Sequence, residues 1–348
     1  MQLFGGKQPV GVLFDSDMGN SIDDVLALAI LYGLDGKNEV RVISVSVSKA
    51  NLKAAALSEV IGRFYAGAVS GAFAAVGRNL PVGLSERGKM PEDTPILKIL
   101  DKRNEKGEKI YQHGIDRIID TAEVAPLLRN ALTSQADANS IVIMTGPATN
   151  LAELLELPGA KDWIIRKVKY LSIMGGAYPV SKEPEFNIKA DIKAAQKLFA
   201  EWPTPIVASG FEVGNELKYP AASIENDFGW NDHHPVADAY RAAEKMPYDA
   251  PCWDPTSVLY AVRPDAGFFK LSDPGTISVS DDGNTKFTPG AGGKHRHLIL
   301  DPAQKEKIVK TFVELASAKP VPKAPRFRRP PEQKQPPAQP PKPAEPPK

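Results

Sequence analysis

The stretch Gly11-Val12-Leu13-Phe14-Asp15-Ser16-Asp17-Met18-Gly19-Asn20-Ser21-Ile22-Asp23-Asp24 decides the fold. Its first half is an apolar, β-branched run over Gly11–Asp17 of the kind that a parallel sheet buries on both faces. Carboxylates close that run, a glycine turn follows, and two more acids open a helix over Asp23–Leu34. Four acids thus gather at the carboxyl end of a first strand, the edge where open α/β sheets hold their ligands. Carboxylates crowded there repel one another unless a cation or a proton relieves them. With no His or Cys in the stretch, the oxygen-only set favours a hard cation, Ca²⁺ or Mg²⁺, over zinc. The helix macrodipole tolerates Asp23 and Asp24 in a first turn. The plainer reading is that these two only cap the helix while Asp15 and Asp17 line a turn.

Working outward, further buried strands are expected at Val42–Ser48, Ser140–Thr145, Val168–Met174 and Pro205–Ser209. Helical spacing of apolar residues runs over Leu52–Ala66, Glu123–Ser134, Asn150–Leu155 and Ile192–Ala200. Strand and helix alternate, which predicts an α/β fold: a doubly wound, mainly parallel, Rossmann-like open sheet with helices on both faces. Gly275–Phe287, turning at Asp282-Gly283, reads as a small late β-hairpin on its edge, and a helix over Pro302–Ala318 closes the domain.

At 348 residues and 42% hydrophobic content the chain can bury a large core. Residues 1–318 are expected to form one domain and 319–348 a disordered, proline-rich basic tail holding 12 of the 32 prolines. That tail carries eight Lys/Arg against two Asp/Glu, so a chain of net charge +1 has a body at −5. An acidic body gives no footprint for nucleic acid, which is not expected as a partner. No run approaches a membrane span, and the single cysteine, Cys252, reads as a buried hydrophobe outside any disulfide framework. Localisation stays open, a cytoplasmic location being preferred to export with a removed leader.

The Asp-x-Asp at a strand end also resembles the nucleophile loop of haloacid-dehalogenase-like phosphatases, with Asp281-Asp282 as a late acidic pair. Those enzymes resemble D-x-D-x followed by Thr or Val, whereas Met18-Gly19 follows Asp17 here, and nothing in their pattern uses Ile22-Asp23-Asp24. The motif instead resembles the D-x-D-P-G-x-D-D of the inosine-uridine-preferring nucleoside hydrolases. The likeness extends over residues 10–315, through Met144-Thr145-Gly146-Pro147-Ala148-Thr149-Asn150-Leu151, Ser172-Ile173-Met174-Gly175-Gly176-Ala177, Glu185-Phe186-Asn187 with Asp191, and Trp253-Asp254.

That resemblance implies a Ca²⁺-dependent enzyme that splits ribonucleosides, purines preferred, into base and ribose. It implies Asp17, Asp24 and Asp254, with the Thr145 carbonyl, as calcium ligands, and Asp23 as the general base that deprotonates the attacking water. Asp15 is expected to steady ligands or sugar, Glu185 and Asn187 to grip sugar hydroxyls, and Met174 to pack on the ribose. Trp253 stands where many members carry a histidine and is expected to stack on a purine. A small-molecule nucleoside is the implied partner, and homodimers or homotetramers the implied assembly.

The sequence departs from the family at Asn20-Ser21-Ile22, two residues longer than the usual turn, at Met18 in place of proline, and in a short Gly175–Glu185 segment. The family's asparagine after the second strand has a counterpart in Asn51 only with a shifted register. His113, His233, His234, His295 and His297 read as surface or capping residues in polar stretches. A non-catalytic nucleoside or sugar binder that keeps the carboxylates is the alternative from outside enzymology.

Overall fold

The computed structural model describes residues 9–67 and 80–321. The basic tail expected beyond Lys319 falls almost wholly outside the described residues.

The strands among the described residues are β1 (Val10–Ser16), β2 (Val40–Lys49), β3 (Val82–Lys89), β4 (Ser140–Met144), β5 (Val168–Met174), β6 (Ile206–Ser209), β7 (Lys218–Tyr219), β8 (Ala250–Pro251), β9 (Phe269–Leu271), β10 (Gly275–Val279), β11 (Thr285–Pro289) and β12 (His295–Leu300). The helices are α1 (Ile22–Gly36), α2 (Leu52–Gly67), α3 (Val124–Thr133), α4 (Thr149–Glu156), α5 (Ala160–Lys167), α6 (Phe186–Ala190), α7 (Ile192–Glu201), α8 (Phe211–Asn215), α9 (Ala221–Asn226), α10 (Pro235–Ala243), α11 (Trp253–Val262) and α12 (Lys305–Ala316).

The main sheet runs β11-β10-β12-β6-β5-β4-β1-β2-β3, with β9 on β12. From β3 to β12 along this order every pair is parallel, and β9, β10 and β11 add antiparallel partners at the far end. The expected mainly parallel α/β sheet with a late edge hairpin is what the chain forms.

β1 shows why both faces must be covered. Val12 and Phe14 point into one core, shared with α1, α2, α10, α11 and α12, while Leu13 points into a second, shared with α3, α4, α5 and α7. In α1 twelve of fifteen residues are buried, so this helix is apolar nearly all round and a second helical layer of α10, α11 and α12 covers its back. Each Leu or Ile buried there contributes about 1.5–3 kcal/mol of transfer free energy.

One contact in that layer admits no side chain: a Cβ on Gly33 would lie 2.3 Å from the backbone oxygen of Leu315 in α12. Backbone cannot yield as a side-chain tip can, so Gly33→Ala is expected to cost about 2 kcal/mol by pushing α12 off α1. Urea unfolding checks this through a lower midpoint at unchanged slope.

Several elements lie outside the expected set, and two of them are parallel strands of the main sheet. β3 is an added parallel strand beside β2, and β12 carries His295 and His297, which the sequence reading put in polar loops. Both histidines are buried: His295 accepts the Ile277 N–H at 2.9 Å, and His297 stacks on Tyr178 with ring centroids 5.2 Å apart. His234 is buried as well, among Phe64, Phe228 and Trp230, while its Nδ1 caps α10 through Val236 N–H. Cys252 is a buried free thiol, and no helix of the described residues is long and apolar enough to cross a membrane.

The chain leaves β1 toward β2 and β3, then returns to lay β4 on the other flank of β1. The sheet therefore reverses winding between β1 and β4, which opens a crevice above their carboxyl ends.

Candidate active site

Into that crevice β1 delivers Asp15 and Asp17, and β4 delivers Thr145 and Gly146, with Asp15 opposite Met144 in the ladder. A Cβ on Gly146 would lie 2.6 Å from both Asp17 N and Ser48 Oγ, so only glycine lets the β4 loop close on Asp17.

Helix α1 starts at the crevice because Asp24 reaches back to cap it. Asp24 Oδ2 accepts the Ser21 N–H at 3.0 Å, and its Oδ1 accepts the Ser16 hydroxyl at 2.8 Å. Asp23 takes the Ser21 hydroxyl on one oxygen and the Asp254 N–H on the other at 3.0 Å. That last bond fastens the start of α11 to the start of α1. Two helix amino termini therefore face the same carboxylates and lower the cost of their charge.

Asp17, Asp23, Asp24 and Asp254 are all buried, with Asp24 within hydrogen-bonding reach of both Asp17 and Asp254. Burial, and then the charge of Asp24, pushes Asp23 up to about 7. Burial and neighbouring carboxylates raise Asp17 and Asp254 well above the ordinary range, and burial raises Asp24. Asp15, held by the Ser46 hydroxyl and by Asn150 Nδ2 at 2.6 Å, is pushed up to about 7 by burial, and its Oδ2 has no partner. A buried carboxylate cluster of this kind calls for positive charge.

The donors are oxygens throughout, which suits a hard divalent cation. Among the described residues no group of three or more His, Cys, Asp or Glu side chains forms a ready-made metal cage. The fit to a cation therefore rests on the charge and chemistry of the donors.

Around this cluster, Asn187 sits over Thr145 and Met174, its Nδ2 lying 3.2 Å from the Thr145 carbonyl, 3.3 Å from the Met174 carbonyl and 3.2 Å from Met174 Sδ. Glu185 caps α6 and accepts Gly176 N–H at 2.9 Å and Asn187 N–H at 3.0 Å. Its carboxylate is thus occupied in fixing the loop that carries Asn187. Trp253 stacks on Phe211 with centroids 5.5 Å apart, and Phe211 is 46% exposed at the rim formed by the ends of β5 and β6. The half-buried Trp253 and the exposed Phe211 thus present one stacked aromatic face next to Asp254.

The structure turns Asn51 away from this company: its amide donates to Pro91 O and Asp93 at 2.8 Å, and its Oδ1 caps α2 through Lys53 N–H. Asp281 and Asp282, needed beside Asp15 by the phosphatase reading, sit exposed at the tip of the β10–β11 hairpin, and four strands separate β10 from β1. Sequence reasoning passed over Ser16, Ser21, Ser46, Asn150 and Phe211. Two of these left a signal: Ser21 as the first residue of the Ser-x-x-Asp cap that opens α1, and Asn150 as a polar residue in the first turn of α4.

The sequence pattern described as "Inosine-uridine preferring nucleoside hydrolase" matches residues 12–316. A curated relative is the pyrimidine-specific ribonucleoside hydrolase RihA of Salmonella paratyphi B, 31% identical over 136 residues, which cover 36% of this chain and 42% of that protein. The chain thus spans under half the length of the curated relatives it matches. Among solved structures, a plant nucleoside hydrolase aligns with a TM-score of 0.65 at 20% identity, covering 89% of this chain and 99% of its own. A purine-preferring ribonucleoside hydrolase from Gardnerella vaginalis aligns with 0.64 at 19%, covering 88% and 99%. At these identities the structural likeness speaks for the fold.

Proposed function

The chain belongs to the inosine-uridine preferring nucleoside hydrolase family, and from that premise we propose that it hydrolyses the N-glycosidic bond of ribonucleosides to free base and ribose. The observation that carries this reading is the meeting of Asp17, Asp23, Asp24 and Asp254, all buried, at the winding reversal of the sheet.

Asp17, Asp24, Asp254 and the Thr145 carbonyl would hold the cation, which we take to be Ca²⁺ for its tolerance of many oxygen donors. Bound there, it would neutralise the cluster and lower the pKa of a nearby water. Asp23, oriented by Ser21 and by the Asp254 N–H, accepts the proton of the attacking water. The water oxygen bonds to the anomeric carbon as the C–N bond breaks; the electron pair of the C–N bond leaves with the base, which takes up a proton from solvent while Asp23 later returns its own to solvent. The ring passes through an oxocarbenium-like state that buried carboxylates stabilise. Asp15, tied to Ser46 and Asn150, steadies the end of β1. Asn187 and Met174 form the sugar side of the crevice, with Glu185 fixing their loop.

The base lies against Trp253 and Phe211 in this reading. A purine offers this pair more stacking area, which supports purine preference, while the pyrimidine-specific name of RihA sets the opposite expectation. Trp253→Ala is expected to lower kcat/KM for inosine about tenfold and for uridine less, with Phe211→Ala following in the same order. Equal losses on both substrates would deny the pair a role in choosing the base.

Proton and cation compete for the same oxygens. Asp17 and Asp254, raised well above the ordinary carboxylate range by burial and by neighbouring carboxylates, hold their protons to higher pH than an ordinary aspartate. Calcium binding must displace those protons, so the rise in Tm on adding Ca²⁺ is expected to be small at acidic pH and to grow as pH rises. Thermal melts with and without chelator measure it, and a pH-independent increment would remove these carboxylates from the site.

The reaction itself is tested by incubating inosine, adenosine, guanosine, uridine and cytidine with the protein, with and without Ca²⁺, and separating products chromatographically. Free base supports the proposal. Tight nucleoside binding without base release would indicate a binding protein, and phosphate released from a nucleoside monophosphate would indicate a phosphatase.

A further inference from the structure

β2 ends at Lys49, a lysine only 1% exposed. Burying an ammonium costs several kcal/mol unless something answers its charge. Among the described residues its Nζ donates to the Met90 carbonyl at 2.6 Å and to no carboxylate.

The location explains the expense. Val47 of β2 pairs with Ser16 of β1, so strand alternation puts Lys49 on the α1 side of the sheet, the side where the Ser16 hydroxyl meets Asp24. The segment after β3 closes over this region. It is tied down by Lys49 at Met90, by Asn51 at Pro91, and by the Thr94 hydroxyl on the Gly19 carbonyl at 2.5 Å. Lys49 is thus sealed under the same segment that covers the turn between Asp17 and Asp24. Burial draws its pKa down, while the charges of Asp17, Glu92, Asp24 and Asp93 oppose that shift. Asp17 and Asp24 thus act on the buried ammonium through space, its one hydrogen bond among the described residues going to the Met90 carbonyl.

We propose that Lys49 is the resident counter-ion of the acid cluster: it offsets Asp17 and Asp24 before a divalent cation enters, and opposes that cation once it does. Lys49 is then a positioning residue that holds the cup together in the metal-free protein and sets an upper bound on metal affinity. The proposal rests on the reading of the cluster as a cation site, and it separates from that reading because half of it concerns the metal-free protein.

Lys49→Met keeps the length of the stem and removes the charge. In chelator, Lys49→Met is expected to lower Tm by about 3 °C or more. In a double-mutant cycle the loss shrinks by at least half when Asp24→Asn is already present. By calorimetry, Lys49→Met binds Ca²⁺ tighter on the order of tenfold, because a nearby positive charge is gone. Lys49→Arg, which keeps the charge, stays close to the native affinity. A merely structural lysine would weaken both stability and metal binding on removal. The proposal is overturned if Lys49→Met loses the same Tm in both backgrounds, or binds Ca²⁺ no more tightly than the native chain. Should neither protein bind Ca²⁺, the cation reading fails and the cycle in chelator decides alone: coupling to Asp24 supports the counter-ion, and additivity removes it.

Discussion

Asp23→Ala releases free base about 10³-fold more slowly than the native protein, while the fold and the calcium-induced rise in Tm persist. The expectation follows from what Asp23 touches. Its two oxygens are oriented by the Ser21 hydroxyl and the Asp254 N–H, leaving lone pairs free to accept a proton. Burial and the Asp24 charge raise its basicity, holding its pKa at about 7 in place of the usual 3.8. A base so tuned accepts a proton in the transition state and gives it up readily afterward. Steady-state rates on the best nucleoside, with melts in Ca²⁺ as a control for folding, make the measurement. A rate within tenfold of native would move the role of base to another group.

Asp24→Asn should separate stability from binding. Asn can keep both bonds of Asp24, its oxygen accepting Ser21 N–H and its amide donating to the Ser16 hydroxyl, which rotates to accept. What changes is the charge. In chelator, one buried carboxylate fewer beside Asp17 and Asp254 raises Tm by about 3 °C. In Ca²⁺ the same variant binds about 100-fold more weakly or worse, and base release falls with it, because a central oxygen donor has lost its charge. Calorimetric titration and melts in both buffers read these opposite signs together. A variant destabilised in chelator, or one that keeps its calcium affinity, would show that Asp24 acts only as a helix cap.

The sequence spelled out the centre of this site because its parts are local. β1 ends where the apolar run meets Asp15, and α1 begins where Ser21 and Asp24 can cap each other, so strand, turn and helix were all written within fifteen residues. The parallel sheet followed from repeated apolar runs. β3 escaped because Val82-Gly83-Leu84-Ser85-Glu86-Arg87-Gly88-Lys89 has two glycines and three charges, tolerable on an edge strand that pairs with β2 on one side and meets Ala122 in a single bridge on the other. β12 escaped because His295 and His297 read as polar, although their rings pack as aromatic core against Phe199, Tyr178 and Phe287.

Three of the missed site residues, Ser46, Asn150 and Phe211, share one cause. Ser46 and Asn150 reach Asp15 from β2 and α4, and Phe211 reaches Trp253 from the end of β6, through contacts that only tertiary structure makes. Asn51 shows the reverse: a plausible motif residue whose amide the fold spends on Pro91 and Asp93. Lys49 gave no hint at all, since a lysine at a strand end is ordinarily solvated.

The central claim is hydrolysis at the anomeric carbon, and the most direct test is the appearance of reducing sugar from a nucleoside in phosphate-free buffer. Hydrolysis frees C1 of ribose as a hemiacetal, so reducing sugar should accumulate mole for mole with free base when Ca²⁺ is present and stop on chelation. No reducing sugar from any nucleoside, with calcium bound to the protein, would contradict the account.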